Sequence, residues 1–373
     1  PPATTEAPTT TATPTTTAPP ATTEAPTTTA APTTTAAPTT TAAPTTTAAP
    51  MYPIVKVSVP DFLAPTSYTP FSGSLQLAFS TALSNEFEAF DHKMGWSAAV
   101  YQNGMLWLDT IGSADESTPM TTSTPMAIMS TSKTFLSALI LSQVEDGLYA
   151  LDDLISVLLA DHNGYQSVNK SLIPDASVEQ HLRMASGVQE ISTTSAEAFL
   201  QSIDPSWEPS DALSLVTSPP IPPGTHNYTA TSSFLLGLVA EHKGGDNLHA
   251  LYEAEFFEPL SLKAGLLPHI QTPTNMSRTY SDLTNYGGVP GWGNVQDVAI
   301  YSGYDWWETE GRRNWSCCGV VSTPESIARW GYELFSPNGS AVSANVRQQL
   351  IDSFRDLTEK AGGPWLYGVH VAM

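Results

Sequence analysis

Residues 126–147 read MAIMSTSKTFLSALILSQVEDG, and this stretch governs how the rest of the 373-residue chain is read. From Thr131 to Asp146 the residues keep helical spacing, with Phe135, Ala138, Leu139 and Ser142 on one face of a predicted helix. Gly147 follows where a left-handed residue ends a helix. At the front stands Ser130-Thr131-Ser132-Lys133. Residues three apart on a helix are neighbours, so Ser130 and Lys133 share a face. The dipole at a helix start favours the negative charge that a reacting serine develops. A lysine beside that serine lowers the cost of ionising it, or accepts its proton if the amine is neutral; this is the Ser-Lys route to nucleophilic catalysis. Alone, the tetrapeptide reads first as a capping serine beside a solvated lysine, because S-x-x-K recurs by chance. Its surroundings decide.

Upstream, Ser97–Gln102 and Met105–Thr110 alternate like strands around Asn103-Gly104. That pair favours a two-residue type I′ hairpin, because both turn positions need positive φ. Downstream, 148–159 begins a short helical region, and Thr231–Lys243 is an apolar helix ending at Gly244-Gly245. Pro324–Phe335 is another, with Pro324 in its first turn and Glu325 supporting the N-terminus. A hairpin first and helices in the middle predict an α+β fold with an antiparallel sheet.

The order of short motifs adds a resemblance. The run from Gly95 resembles the serine β-lactamase and penicillin-binding-protein superfamily, nearest its class C, esterase and D-aminopeptidase branch. Its hairpin is WSAAVYQNGMLWLDTIGSAD, followed by the turn Pro119-Met120-Thr121 and the nucleophile helix at Ser130. LYALDDLIS is similar to the superfamily's Leu-x-Leu-Asp-Asp element, and HLRMASGVQE to its His-x-Ser-Gly segment through Ser186-Gly187. PPGTHNYTATSSFLLGLVAEH resembles Pro-Gly…Tyr-x-Asn…Leu-Gly, with Pro223-Gly224, Tyr228 and Leu236-Gly237 in those places. FEPLSLKA is similar to Glu-Pro-Leu-Gly-Met, and CCGVVSTPESIARWGYELF to the Gly-Gly-Leu-x-Ser-Thr-x-x-Asp-x-x-Arg helix. This colinearity runs from Gly95 to the chain's end and is far more specific than S-x-x-K.

The resemblance implies a β-lactamase/transpeptidase-like fold: an antiparallel sheet flanked by helices, plus a helical subdomain. It implies Ser130 as the acylated nucleophile, Lys133 as the residue that shares its proton, and Tyr228 as base for acylation and acid for the leaving group. A phenol titrates near ~10 in water, so the base role needs a nearby cation, for which Lys133 is the candidate. Which of the two holds the proton is left open by sequence. The expected function is hydrolysis of ester, amide or peptide substrates through an acyl-enzyme. The alternative is a non-catalytic binding or cell-surface module on the same fold. No metal or organic cofactor is implied; the expected partner is a small-molecule or peptide acyl substrate.

Two departures stand out. Ala230 occupies the place of the motif's asparagine, whose side chain binds a lactam amide, so ester or other acyl substrates are favoured over lactams. The third motif, Lys/His/Trp-x-Gly, is absent from its expected place. Lys360-Ala361-Gly362 imitates it but precedes the Tyr367-Gly368 strand instead of following it, and reads as a decoy. No G-x-S-x-G, no His-Glu-x-x-His and no glycine-rich phosphate loop competes, and Ser281-Asp282-Leu283 does not make a Ser-Asp-Asn motif. His226 reads as a turn residue. Trp306, Trp307 and Trp315 either wall an apolar substrate site or pack under a long loop. Cys317-Cys318 reads as two small buried thiols in preference to a strained vicinal disulfide.

Composition divides the chain. Residues 1–50 contain only Thr, Pro, Ala and Glu, with PPATTEAPTTTA at 1–12 and again at 19–30 and TTTAAP repeats up to Pro50. Such a segment cannot offset its ordering entropy, and its regular prolines favour extended polyproline II. Dense Thr beside Pro suits O-glycosylation, so 1–50 reads as a mucin-like stalk, with 51–73 a linker and 74–373 the hydrolase domain. Asn-x-Ser/Thr triplets begin at Asn169, Asn227, Asn275, Asn314 and Asn338. With the stalk they point to a secreted or cell-surface protein, and to wall or matrix contact through the stalk. Asn227 is expected to stay unmodified, since a glycan there would block the site. The net charge of −22, from 14 basic and 36 acidic residues, argues against nucleic acid as a partner and against electrostatic docking on anionic lipid. No stretch approaches the ~20 apolar residues of a membrane-spanning helix. The first residue is Pro1, and the last seven alternate like an interrupted strand, so truncation is expected at both ends. The fragment itself is expected to be inactive.

Overall fold

The structure, a computed structural model, describes residues 54, 56–63, 65, 67–89, 95–115, 117–191, 204, 206–278, 280–281, 296–297, 312, 314–353, 355–356 and 366–367. The repeat stalk, Trp306, Trp307, Lys360-Ala361-Gly362 and the strand expected over 368–373 lie outside these residues. Leu366–Tyr367 pairs antiparallel with Arg355–Asp356.

Two aromatic side chains anchor the stretch expected to be a linker. Phe62 is buried beside Leu267, Ile270, Met276 and Val321, and Phe71 is also buried. Val57 bridges in parallel to Ile270. Strand β1 (Thr69–Pro70) and helix α1 (Gly73–Ala89) follow. Phe79 of α1 contacts the rings of Phe71 and Trp107. The hairpin then forms as predicted. Strands β2 (Trp96–Gln102) and β3 (Met105–Ile111) pair antiparallel from Trp96↔Ile111 to Gln102↔Met105. Asn103 and Gly104 have φ of 50° and 78°, as a type I′ turn requires. β1 adds to β3 in parallel, giving the order β1-β3-β2.

Strand β4 (Met126–Ala127) leads through a 3₁₀ turn, Met129–Ser132, into α2 (Lys133–Glu145). The sequence pattern predicts one apolar face, but α2 is buried nearly all round: Lys133, Phe135, Leu136, Ala138, Ile140 and Leu141 are all inside. A helix enclosed on every side is a central one, and this one runs through the main core. Gly147, with φ of 76°, follows its end as expected. In the 148–159 region the helix is limited to Ile155–Leu158.

Helix α3 (Val178–Leu182) begins at a Ser177/Gln180 capping box. Helix α4 (Ala230–Gly244) ends on left-handed Gly245, and Gln143 Nε2 of α2 donates to its Ala240 carbonyl at 3.1 Å. Strands β5 (Ala264–Leu266) and β6 (Val320–Ser322) form a second antiparallel sheet of order β4-β6-β5. Helix α5 spans Pro324–Phe335, as predicted. Its Trp330 stacks on Phe135 of α2, with ring centroids 3.9 Å apart and planes 13° from parallel. No described helix is long and apolar enough to cross a membrane.

Candidate active site

The turn before α2 sends its two serines in opposite directions. Met129 has φ of 47°, a left-handed conformation that non-glycine residues hold at a cost of about 1–3 kcal/mol and that clusters at functional sites. Beyond it Ser130 is exposed, while Ser132 and Lys133 are buried. Ser132 Oγ accepts the backbone N–H of Val320 at 3.1 Å and so ties the turn to β6. Ser130 is the serine left facing out.

Lys133 is 1% exposed, which rules out a solvated lysine. Its Nζ donates to the Cys317 carbonyl at 3.1 Å and to Ser130 Oγ at 3.4 Å, and lies 3.6 Å from Cys318 Sγ. It also sits 4.9 Å from the centroid of the Tyr228 ring. Burial alone drives a proton off a lysine. Here the neighbouring Cys317, Cys318 and Tyr228 groups more than offset burial and hold Lys133 as an ammonium. That leaves Lys133 poorly suited to accept the serine's proton.

Tyr228 reaches the site because its loop is laced to another. Asn227 N–H donates to Met184 O at 2.6 Å, Gly224 N–H to Ala185 O at 2.7 Å, and Ile221 N–H to Gly187 O at 2.9 Å. Gly187 has φ of 86°, and a Cβ there would sit 2.1 Å from Ile221 O. The Ser186-Gly187 element therefore shapes the platform for Tyr228. Thr229 then caps α4 by accepting Ser232 N–H. The Tyr228 hydroxyl, so placed, donates to Ser130 Oγ at 2.9 Å. The structure thus brings Ser130, Lys133 and Tyr228 together from α2 and the start of α4.

Asn227 Nδ2, the atom a glycan would take, donates to Val188 O at 3.2 Å. At Ala230 the side chain offers no amide; its backbone N–H donates to Glu190 Oε2 at 2.8 Å.

The remaining wall is the helical turn 314–318. It packs against α4 at Gly237, where a Cβ would lie 2.8 Å from Ser316 Cβ and the Trp315 ring. Ser316 Oγ donates to Ser233 O at 2.9 Å. Trp315 is a core residue and no substrate wall: it is fully buried, contacts Phe234, and donates from Nε1 to His269 Nε2 at 3.1 Å. Cys317 and Cys318 are both free thiols. Cys317 is buried as expected. Cys318 is only partly buried, and its Sγ lies 3.7 Å from Ser130 Oγ, so it belongs to the site. The sequence held a signal for this: set on Ser322-Thr323, the Gly-Gly-Leu element falls on Cys318-Gly319-Val320, so a thiol replaces a hydrogen there.

The family model for Beta-lactamase matches residues 83–369. The chain belongs to the beta-lactamase family. Solved structures share the fold at low identity. D-amino acid amidase from Ochrobactrum anthropi SV3, complexed with D-phenylalanine, has a TM-score of 0.61 and 20% identity, over 80% of this chain and 80% of its own. A penicillin-binding protein from Bacillus halodurans has a TM-score of 0.59 and 19% identity, over 78% and 83%. EstCE1, a hydrolase with promiscuous acyltransferase activity, has a TM-score of 0.59 and 17% identity, over 80% and 82%. No curated protein sequence matches. Within the beta-lactamase family's fold, the Ser130 cluster lies between α2, the start of α4 and the 314–318 turn.

Proposed function

We propose that this chain is a serine hydrolase working through an acyl-enzyme on Ser130. The observation that carries the reading is a buried ammonium, Lys133, within 3.4 Å of an exposed serine oxygen that also meets the Tyr228 hydroxyl at 2.9 Å. Ser130 Oγ attacks the substrate carbonyl and bonds to its carbon. The step starts once Tyr228 has given up its own proton: the serine proton then passes to the Tyr228 oxygen, and Lys133 stabilises the negative charge that moves between the two oxygens. Tyr228 then protonates the leaving group, and the same pair activates water for deacylation.

Ala230 directs the substrate reading. A lactam whose side-chain amide seeks a partner finds none at that methyl, and a buried polar group without its partner costs about 1–3 kcal/mol. Small esters are therefore turned over in preference to cephalosporins. Parallel rate measurements on p-nitrophenyl acetate and a chromogenic cephalosporin test this; efficient cephalosporin hydrolysis with negligible esterase activity would overturn it. A binding module on the same fold would turn over neither and would leave Ser130 unlabelled by acylating probes. We also propose that the domain is secreted or displayed at the cell surface on the Thr/Pro/Ala repeat of 1–50, which supports contact with a wall or matrix.

A further inference from the structure

Cys318 stands among the reacting groups with no role in the mechanism above. Its Sγ lies 3.7 Å from Ser130 Oγ and 3.6 Å from Lys133 Nζ, so sulfur and serine oxygen face the same ammonium. Its neighbour differs in every relevant respect. Cys317 is 1% exposed and offers its carbonyl, not its sulfur, to Lys133.

We propose that Cys318 is a second nucleophile of this site, and that its oxidation by a hydroperoxide shuts off the Ser130 reaction. The proposal rests on the hydrolase reading for its consequence and on the thiol's own placement for its chemistry. Three features support it. Cys318 is reachable, being only partly buried beside exposed Ser130. The adjacent Cys317 thiol and the Lys133 ammonium hold the Cys318 thiol below its usual range, whereas burial pushes Cys317 well up. Thiolates near a cation are the ones that oxidise. Finally, the 3.7 Å between sulfur and serine oxygen is one contact wide. An oxygen added to the sulfur occupies the space in which an acyl carbon must approach Ser130.

In the step itself, the Cys318 thiolate attacks the terminal oxygen of the hydroperoxide. An S–O bond forms and the O–O bond breaks. The sulfur is oxidised by two electrons to a sulfenic acid, and the hydroperoxide is reduced to an alcohol, or to water for hydrogen peroxide. The oxyanion released takes a proton from solvent. Thiols reverse this first stage of sulfur oxidation.

The test uses the full-length natural protein, reduced, with hydrogen peroxide as oxidant, dimedone to trap sulfenic acid, and a fluorophosphonate to report on Ser130. Brief peroxide treatment is expected to slow Ser130 labelling about tenfold or more, and dithiothreitol to restore it, since a sulfenic acid is reducible. Peptide mapping should find dimedone on Cys318 ahead of Cys317. In Cys318→Ala and Cys318→Gly, each compared with its own untreated rate, peroxide should change labelling by less than about twofold, because no other described thiol touches the serine. Should both variants misfold, mapping and thiol reversal in the native chain still decide. Native protein that carries dimedone on Cys318 yet labels at Ser130 at its original rate overturns the inference, as does a Cys318 that resists peroxide. If Ser130 never labels in untreated protein, the hydrolase reading fails. Absence of dimedone at Cys318 then overturns the thiol's role as well, and its presence upholds the thiol as a nucleophile.

Discussion

Ser130 and Ser132 carry the same hydroxyl two residues apart, and the backbone assigns them different surroundings. Left-handed Met129 turns Ser130 outward, and the 3₁₀ turn that contains both serines carries Ser132 into the protein, where it accepts the Val320 N–H. Periodicity locates the helix but not this half-turn, so the exposed serine could be inferred by resemblance and seen only in three dimensions. Lys133 is similar: S-x-x-K gives its spacing, while its full burial and its partners come from residues 95 and 184–185 positions away in the chain. With Lys133 held as an ammonium, the proton of Ser130 must go elsewhere, and Tyr228 is 2.9 Å away. Replacing Tyr228 by Phe keeps the ring near Lys133 and removes the oxygen. General acid–base groups contribute about 10²–10⁴ in rate, so Tyr228→Phe should lower kcat on a p-nitrophenyl ester by that factor with KM little changed. A kcat within a factor of about five of the parent would exclude Tyr228 from proton transfer.

At the scale of elements, legibility followed how local the cause was. The β2–β3 hairpin is written in Asn103-Gly104, and α5 in Thr323-Pro324 at its start, where the Thr323 side chain accepts Ser326 N–H. Helix α1 is hard to read from sequence because it buries little, with Phe87 its one buried side chain. The β4-β6-β5 sheet is not legible there because its strands are two or three residues long and pair far apart in the chain, Met126 with Ser322 and Ala264 with the same Ser322, which no local pattern encodes.

Buried histidines around these elements set a pH limit. His181 on α3, His249, and His269 just beyond β5 are pushed by burial to about 3, 4 and 3. The folded state therefore binds their protons less readily than the unfolded chain, whose histidines titrate near ~6.5. Their contribution is fully present above that value and is lost as pH falls toward 4 and 3. Glu241 runs the other way: burial raises it to about 8, so its contribution is present at low pH and lost as pH rises toward 8. Three groups against one predict a urea midpoint that falls between pH 6.5 and 4.5. A midpoint that rises over that range would show these histidines charged within the fold.

At the scale of the molecule, the acceptor triplets separate by exposure. Asn169, Asn275 and Asn338 are exposed, Asn227 and Asn314 half-buried, and Asn227 has its amide nitrogen engaged by Val188. If the domain passes through a secretory pathway, peptide mapping after expression in secreting eukaryotic cells should find glycans at Asn169, Asn275 and Asn338 and none at Asn227. Secreted protein with those three asparagines bare, or with Asn227 occupied, would contradict the surface display proposed above.

An activated serine at position 130 would take up an acylating probe, so covalent labelling is the decisive measurement. The full-length natural protein, freshly reduced, is treated with a fluorophosphonate probe and the labelled peptide sequenced. One adduct is expected, on Ser130, lost in Ser130→Ala and retained in Ser132→Ala wherever that variant folds. Labelling that persists in Ser130→Ala, or a reduced and folded native chain that takes up no probe, would contradict it.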